Sequence, residues 1–180
     1  VGSGSGIACD ITLNTALTAE ERQRFQDPAT IRRLLATSRT IAIVGLSSDP
    51  QKASVFVATY LHKAGYRIIP VTPRAGVILG ETTVPDLAHL PVRVDLAVVF
   101  RPGPACLEIA EQAIAAGIPA IWFQLRIPAR EAAERAAAAG LTVVLDKCMK
   151  MEHGRFAGTL HWSGMNTEII SAKKARVAPR

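Results

Sequence analysis

Three stretches of the chain repeat one pattern: helix-forming residues, then Ala-Gly, then a short apolar run. They are "HKAGYRIIPV", "AAAGIPAIWF" and "AAAGLTVVLD". Gly65, Gly117 and Gly140 match the position just past a helix end, where the backbone turns to positive φ and a side chain is penalised. Each run that follows is rich in Ile, Val or aromatic residues and lacks polar alternation. That is the pattern of a strand buried on both faces. Strand after helix, three times over, builds βα units and hence a parallel sheet.

The other elements follow. Thr40 to Gly45 reads as the first strand and Asp95 to Phe100 as a later one. Glu81 to Leu87 reads as a brief edge strand limited by Pro85. Between them, Phe56, Val57, Tyr60, Leu61 and Ala64 are expected to face inward from one helix, and Cys106, Leu107, Ala110, Ala113 and Ile114 from the next. A third helix is expected to open with Pro128 at its first position and to pair Glu131 with Arg135. Before the sheet, Asp27 caps a helix with Pro28 at its start and Ile31, Leu34 and Leu35 turned inward. The fold expected is α/β: one doubly wound, mostly parallel, Rossmann-like domain with an N-terminal helical extension and strand order 3-2-1-4-5. Residues 1–26 are read as the extension, 27–156 as the domain and 157–180 as a basic C-terminal tail. A length of 180 residues with 49% hydrophobic content suits one such domain.

Several classes are set aside. No apolar run reaches the roughly 18–20 residues a membrane span requires. The opening "VGSGSG" has neither the charged nor the apolar region of a secretion signal and reads as a linker. Cys9, Cys106 and Cys148 are odd in number and widely spaced, which suggests neither a disulfide framework nor a zinc site. A reducing cytoplasm is the compartment expected. Of the net charge of +6, the closing stretch "SAKKARVAPR" supplies four positive charges with no acid. The body is therefore only mildly basic, and nucleic acid is not the expected partner.

In an open parallel sheet, ligands bind beyond the carboxyl ends of the strands. The first such loop is "GLSSDPQKAS". Gly45 permits a sharp turn, Ser47, Ser48 and Ser54 offer hydroxyls, and Lys52 brings a charge to a helix N-terminus that already favours anions. The same Ser-Ser-Asp-Pro run is also ordinary turn chemistry. The second strand ends in Val71-Thr72-Pro73-Arg74, so a cation stands where NAD-binding folds place an acid on the ribose. A phosphorylated ribose, as in NADP or coenzyme A, suits that cation. Two further loops are proline-rich and deliver Arg101 and Gln124 beside an apolar lip of Phe100, Trp122 and Leu125, a lining suited to pantetheine.

The ordered set "IAIVGLSS", "IIPVTPR", "VDLAVVFRPGP", "AIWFQL" and "DKCMKMEHGR" resembles the stand-alone CoA-binding domain proteins. These are Rossmann-like relatives of the CoA-binding domain of the succinyl-CoA synthetase alpha subunit and of NDP-forming acyl-CoA synthetases. The resemblance covers roughly Ile31 to Arg155. It implies that Gly45, Leu46, Ser47, Ser48 and Lys52 hold the diphosphate of coenzyme A. It implies that Val71, Thr72, Pro73 and Arg74 flank the adenosine, and that Phe100, Arg101, Pro102 and Gln124 line the pantetheine path. None of His62, His89, His153 and His161 stands in the context of the synthetases' phosphorylated histidine, so the resemblance implies binding of CoA or an acyl-CoA without ligase chemistry.

Two other readings compete. An NADP-dependent oxidoreductase or a nucleotide-sensing regulator fits the fold, but second and third glycines and a Tyr-Lys or Asp-His pair are missing. In the segment Cys148 to Arg155, Cys148 and His153 are candidates for a thiolate–imidazole pair or, with Glu152, a weak metal site. The plainer reading makes Cys148, Met149 and Met151 core filling and Glu152–Arg155 a surface pair.

Overall fold

The computed structural model describes residues 17–156. Cys9, His161 and the basic tail lie outside them. The elements run α1 (Ala19–Phe25), α2 (Pro28–Thr37), β1 (Thr40–Val44), α3 (Ala53–Lys63), β2 (Arg67–Val71), β3 (Val77–Ile78), β4 (Glu81–Thr82), β5 (Leu96–Val99), α4 (Gly103–Ala115), β6 (Ala120–Phe123), α5 (Arg130–Ala138), β7 (Thr142–Leu145) and α6 (Met149–Phe156).

Five strands form one parallel sheet in the order β2-β1-β5-β6-β7. The expected third strand is reduced to a single parallel bridge, Val71–Val84, beyond β2. Asp86 caps a 3-10 turn at Leu87–His89, so the chain leaves the sheet directly after Pro85. Glu81 and Thr82 instead fold back against Val77 and Ile78 as a small antiparallel hairpin. Leu79 and Gly80 make its two-residue turn, both at positive φ.

Successive residues of each strand serve opposite faces. Ala42, Val44, Ile121 and Phe123 pack with Phe25, α4 and α5; Ile41, Ile43, Ala120 and Trp122 pack with α2, α3 and α6. Helices thus cover both faces, the doubly wound arrangement. On α2, Asp27 accepts from Thr30 N at 2.8 Å, and Ile31, Leu34 and Leu35 are buried. Each of those side chains contributes about 1.5–3 kcal/mol by leaving water. Among the described residues no helix is long and apolar enough to cross a membrane.

Gly65, Gly117 and Gly140 all end helices as expected, at φ +98, +64 and +91. In each case the next residue's N–H donates back to the third-last helical carbonyl: Tyr66 to Leu61, Ile118 to Ala113, Leu141 to Ala136. One closure device therefore delivers the chain into β2, β6 and β7.

Three expectations about the helices are corrected. Phe56 is 59% exposed, while Ser54, Val57, Ala58 and Leu61 face inward. The helix is rotated so that the Ser54 hydroxyl can accept from Ser47 N at 3.2 Å. Pro128 does not begin α5; Ala129 is its N-cap, and Pro128 packs against Gly103 at the start of α4. Arg135 reaches across to Glu111 of α4 with two bonds of 2.6 and 3.0 Å rather than to Glu131, because a fork onto one carboxylate is the stronger geometry.

Gly140→Ala isolates the backbone cost of this closure, since a Cβ there meets nothing within 4 Å. The expected loss is about 1–2 kcal/mol, read as a fall of a few degrees in Tm. An unchanged Tm contradicts the requirement for positive φ.

Candidate functional site

The carboxyl ends of β1 and β2 open onto a cavity of about 480 Å³. It lies where the chain departs from β1 to one side and β5 to the other, the switch point of the sheet. Of the residues expected at a site, Gly45, Leu46, Ser47, Ser48, Lys52, Thr72, Pro73, Arg74 and Arg101 line it. An adjoining hollow of about 330 Å³ adds Phe100 and Ser54 beside Gly45, Ser47 and Lys52. Val71 is buried in its strand, where its carbonyl accepts from Gly45 N at 2.9 Å. Pro102 is the N-cap of α4 and lines neither hollow.

The first loop is held by its own short side chains. Ser54 Oγ accepts from Ser47 N, Ser47 Oγ from Asp49 N at 3.0 Å, and Asp49 Oδ1 from Gln51 N at 2.9 Å. Ser47 and Ser54 therefore brace the turn, and each hydroxyl still has its own hydrogen to donate. Lys52 is the N-cap of α3 and makes no capping bond with its side chain.

Gly45 sits at φ +86, and a Cβ there would lie 2.9 Å from Arg101 Cδ and 3.2 Å from the Phe100 carbonyl oxygen. The close approach that only glycine permits is thus made by the stem of Arg101. Among the described residues, none of Lys52, Arg74 and Arg101 enters an ion pair. Three cations and one helix N-terminus around a single cavity, with Asp49 the acid on its wall, favour a ligand carrying several negative charges.

The CoA binding domain family matches this chain over residues 39–154. The chain belongs to that family. The uncharacterized protein YneT of Bacillus subtilis is 34% identical over 131 residues, which cover 72% of this chain and 97% of YneT. A solved structure from Pyrococcus horikoshii is 34% identical with a TM-score of 0.70 and covers 73% of this chain and 92% of its own. An ADP-forming acetate–CoA ligase of Archaeoglobus fulgidus is 26% identical over 110 residues, which are 60% of this chain and only 16% of the ligase.

Sequence reasoning missed the far wall. Ala75, Gly76, Val77, Ile78 and Thr83 also line the cavity, because the hairpin folds over it. Its signal was Leu79-Gly80, a weaker hairpin turn than Asn-Gly. Trp122 is not part of an apolar lip: it is fully buried, and its Nε1 donates to the Lys147 carbonyl at 2.7 Å. Gln124 is 3% exposed and lines no part of the cavity. Its Oε1 accepts from Met149 N at 3.3 Å, while its Nε2 is buried without a partner among the described residues.

The segment after β7 also departs from expectation. Glu152 and Arg155 form a buried pair at 3.2 Å, not a surface one, and Met151 is 40% exposed. His153 does not face Cys148 as a base; its Nδ1 meets the Tyr60 hydroxyl at 3.0 Å, and its ring stands edge-on to Tyr60 and Tyr66. No group of three His, Cys, Asp or Glu residues suited to a metal occurs among the described residues. Burial pushes the Cys106 thiol up to about 11, which keeps it protonated and inert.

Gly45→Ala loses more stability than Gly140→Ala, and Arg101→Ala in the same chain restores part of the loss; a double-mutant cycle coupling under about 0.5 kcal/mol contradicts the contact. Burial holds the His153 imidazole below its ordinary pKa, so the folded chain binds fewer protons there than the unfolded one. That stability is full above the unfolded value near 6.5 and is lost as pH falls from there through the lower folded value. Urea midpoints at pH 7.5 and 5.5 should therefore differ more for wild type than for His153→Gln, and equal differences contradict it.

Proposed function

We propose that the cavity binds coenzyme A or an acyl-CoA and that the chain performs no bond chemistry of its own. The observation that carries this reading is the convergence of Lys52, Arg74 and Arg101, all without ion-pair partners among the described residues, on one cavity at the N-terminus of α3. Membership of the CoA binding domain family supports coenzyme A among polyphosphate ligands.

In this reading the diphosphate lies against Gly45, Leu46, Ser47 and Ser48, with Lys52 above the first turn of α3. The adenosine rests beside Val71, Thr72, Pro73 and Arg74, and Arg74 meets the ribose phosphate as a charge-assisted hydrogen-bond donor. The pantetheine arm leaves past Phe100, Arg101 and Pro102 across the ends of β5 and β6. Gln124 Nε2, just past β6, is a buried donor without a partner among the described residues; in this reading an amide carbonyl of that arm is its partner, which requires the side chain to turn toward the cavity. The free thiols of Cys106 and Cys148 go with a reducing compartment such as the cytoplasm.

Thermal-shift titration with CoA, acetyl-CoA, NAD and NADP tests the ligand, because a ligand bound only by the folded state raises Tm by mass action. CoA species should stabilise the chain; a shift with NADP and none with CoA ends the reading. Lys52→Ala should weaken CoA and dephospho-CoA alike by roughly tenfold. Arg74→Ala should weaken CoA by a similar factor and leave dephospho-CoA unchanged; equal losses with both ligands refute its assignment.

A further inference from the structure

A second cavity, of about 450 Å³, opens at the far edge of the sheet, between the α1–α2 junction, the end of β7 and α6. It shares no lining residue with the cavity over β1 and β2. Its floor is the buried pair Glu152–Arg155, whose side chains are 4% and 7% exposed.

That pair is under-bonded. Arg155 Nη1 donates to Glu152 Oε2 at 3.2 Å, its one partner among the described residues. A guanidinium carries five N–H donors, and sealing the others away from water would be costly. They are not sealed: among the described residues the one buried side-chain nitrogen or oxygen atom without a partner is Gln124 Nε2. The remaining edge of Arg155 therefore meets the open space of the cavity it lines. Lys147 Nζ stands 3.9 Å from the other Glu152 oxygen, beyond hydrogen-bond reach. Arg22 uses Nη1 on the Leu17 carbonyl at 2.8 Å and lines the opposite side.

Charge and shape narrow the ligand. Three cations, Arg22, Lys147 and Arg155, face two carboxylates, Asp27 and Glu152, which leaves one positive charge. Asp27 is already committed to the N-terminus of α2 through Thr30 N. A compact dianion such as phosphate would meet both acids with double charge, whereas a monoanion balances the site. Pro28, Ile31 and Phe156 supply an apolar side to the same space. We propose that this cavity is a binding site for a small organic monocarboxylate, its carboxylate on Arg155, Lys147 and Arg22 and its apolar part against Phe156.

The test uses the full chain without CoA, at constant ionic strength, titrated with propionate and benzoate. Propionamide serves as the neutral control and inorganic phosphate as the competing anion. The carboxylates should give a saturable rise in Tm and measurable heats; propionamide should give none, and phosphate less than either. Arg155→Met would strand Glu152 and risk the fold, so the decisive variants are Lys147→Met and Arg22→Met, which leave the buried pair in place. Each should weaken the carboxylates roughly tenfold, while Lys52→Ala changes nothing. Any of three results overturns the site: no saturable effect, an effect equal with propionamide or larger with phosphate, or undiminished binding in both Met variants. Because Lys52→Ala separates the two cavities, failure here leaves the CoA reading untouched, and the reverse holds.

Discussion

The central constraint is the double pairing of β1, with β2 on one side and β5 on the other, both parallel and in continuous register. Asp95 Oδ2 fastens one end of this arrangement by accepting from the amides of Arg39 and Thr40 at 2.8 and 2.9 Å. At the other end the ladders run on to the mouth of the site, where Phe100 N donates to Val44 and Gly45 N to Val71. A slip of one residue would exchange Ala42 and Val44 for Ile41 and Ile43 and disrupt both cores. The position of Gly45 against Arg101 is therefore fixed by apolar packing several residues away.

Division of labour follows from that geometry. The strands are buried on both faces and carry almost no polar side chains, so the sheet is a rigid floor. Polar chemistry is confined to the loops at the carboxyl ends, where the backbone must find partners outside the ladder. The turn after β1 meets that demand with serines and one aspartate. Backbone closure there leaves the three cations uncommitted.

Regular structure was legible because it rests on local rules. Gly65, Gly117 and Gly140 announce helix ends through their own backbone freedom, and Asp27-Pro28 announces a helix start through its own side chain. Gly45, Lys52 and Arg74 could be placed at strand ends by the same reasoning. What escaped depends on contacts between distant segments. Phe56 faces water because Ser54 must face the loop, a preference invisible to helical periodicity. Trp122 is core because the Lys147 carbonyl waits 25 residues later to receive its indole N–H. The Glu152–Arg155 pair is buried in the space between α6 and the α1–α2 junction, and no spacing within "KMEHGR" encodes that. The family resemblance points to the ligand proposed above, where the residues alone point only to its charge.

The hairpin over the site is joined to the sheet by backbone bonds at its base and by one ion pair, in which Arg67 at the start of β2 forks onto Glu81 at 2.7 and 3.3 Å. Thr72 N donates to Val84 at 2.8 Å and Val84 N to Pro70 at 2.9 Å, closing the loop where it leaves and re-enters. Within it, Thr83 Oγ1 holds the Arg74 carbonyl at 3.0 Å and Thr83 N holds Gly76 at 2.9 Å. The segment between Thr72 and Thr83 carries one wall of the cavity, with Ile78 and Leu79 packed against the core. The hairpin strands form no rung of the five-stranded parallel ladder, so substitutions at Ala75 to Val77 leave that ladder intact. The outer wall of the cavity is thus set apart from the ladder that carries its floor.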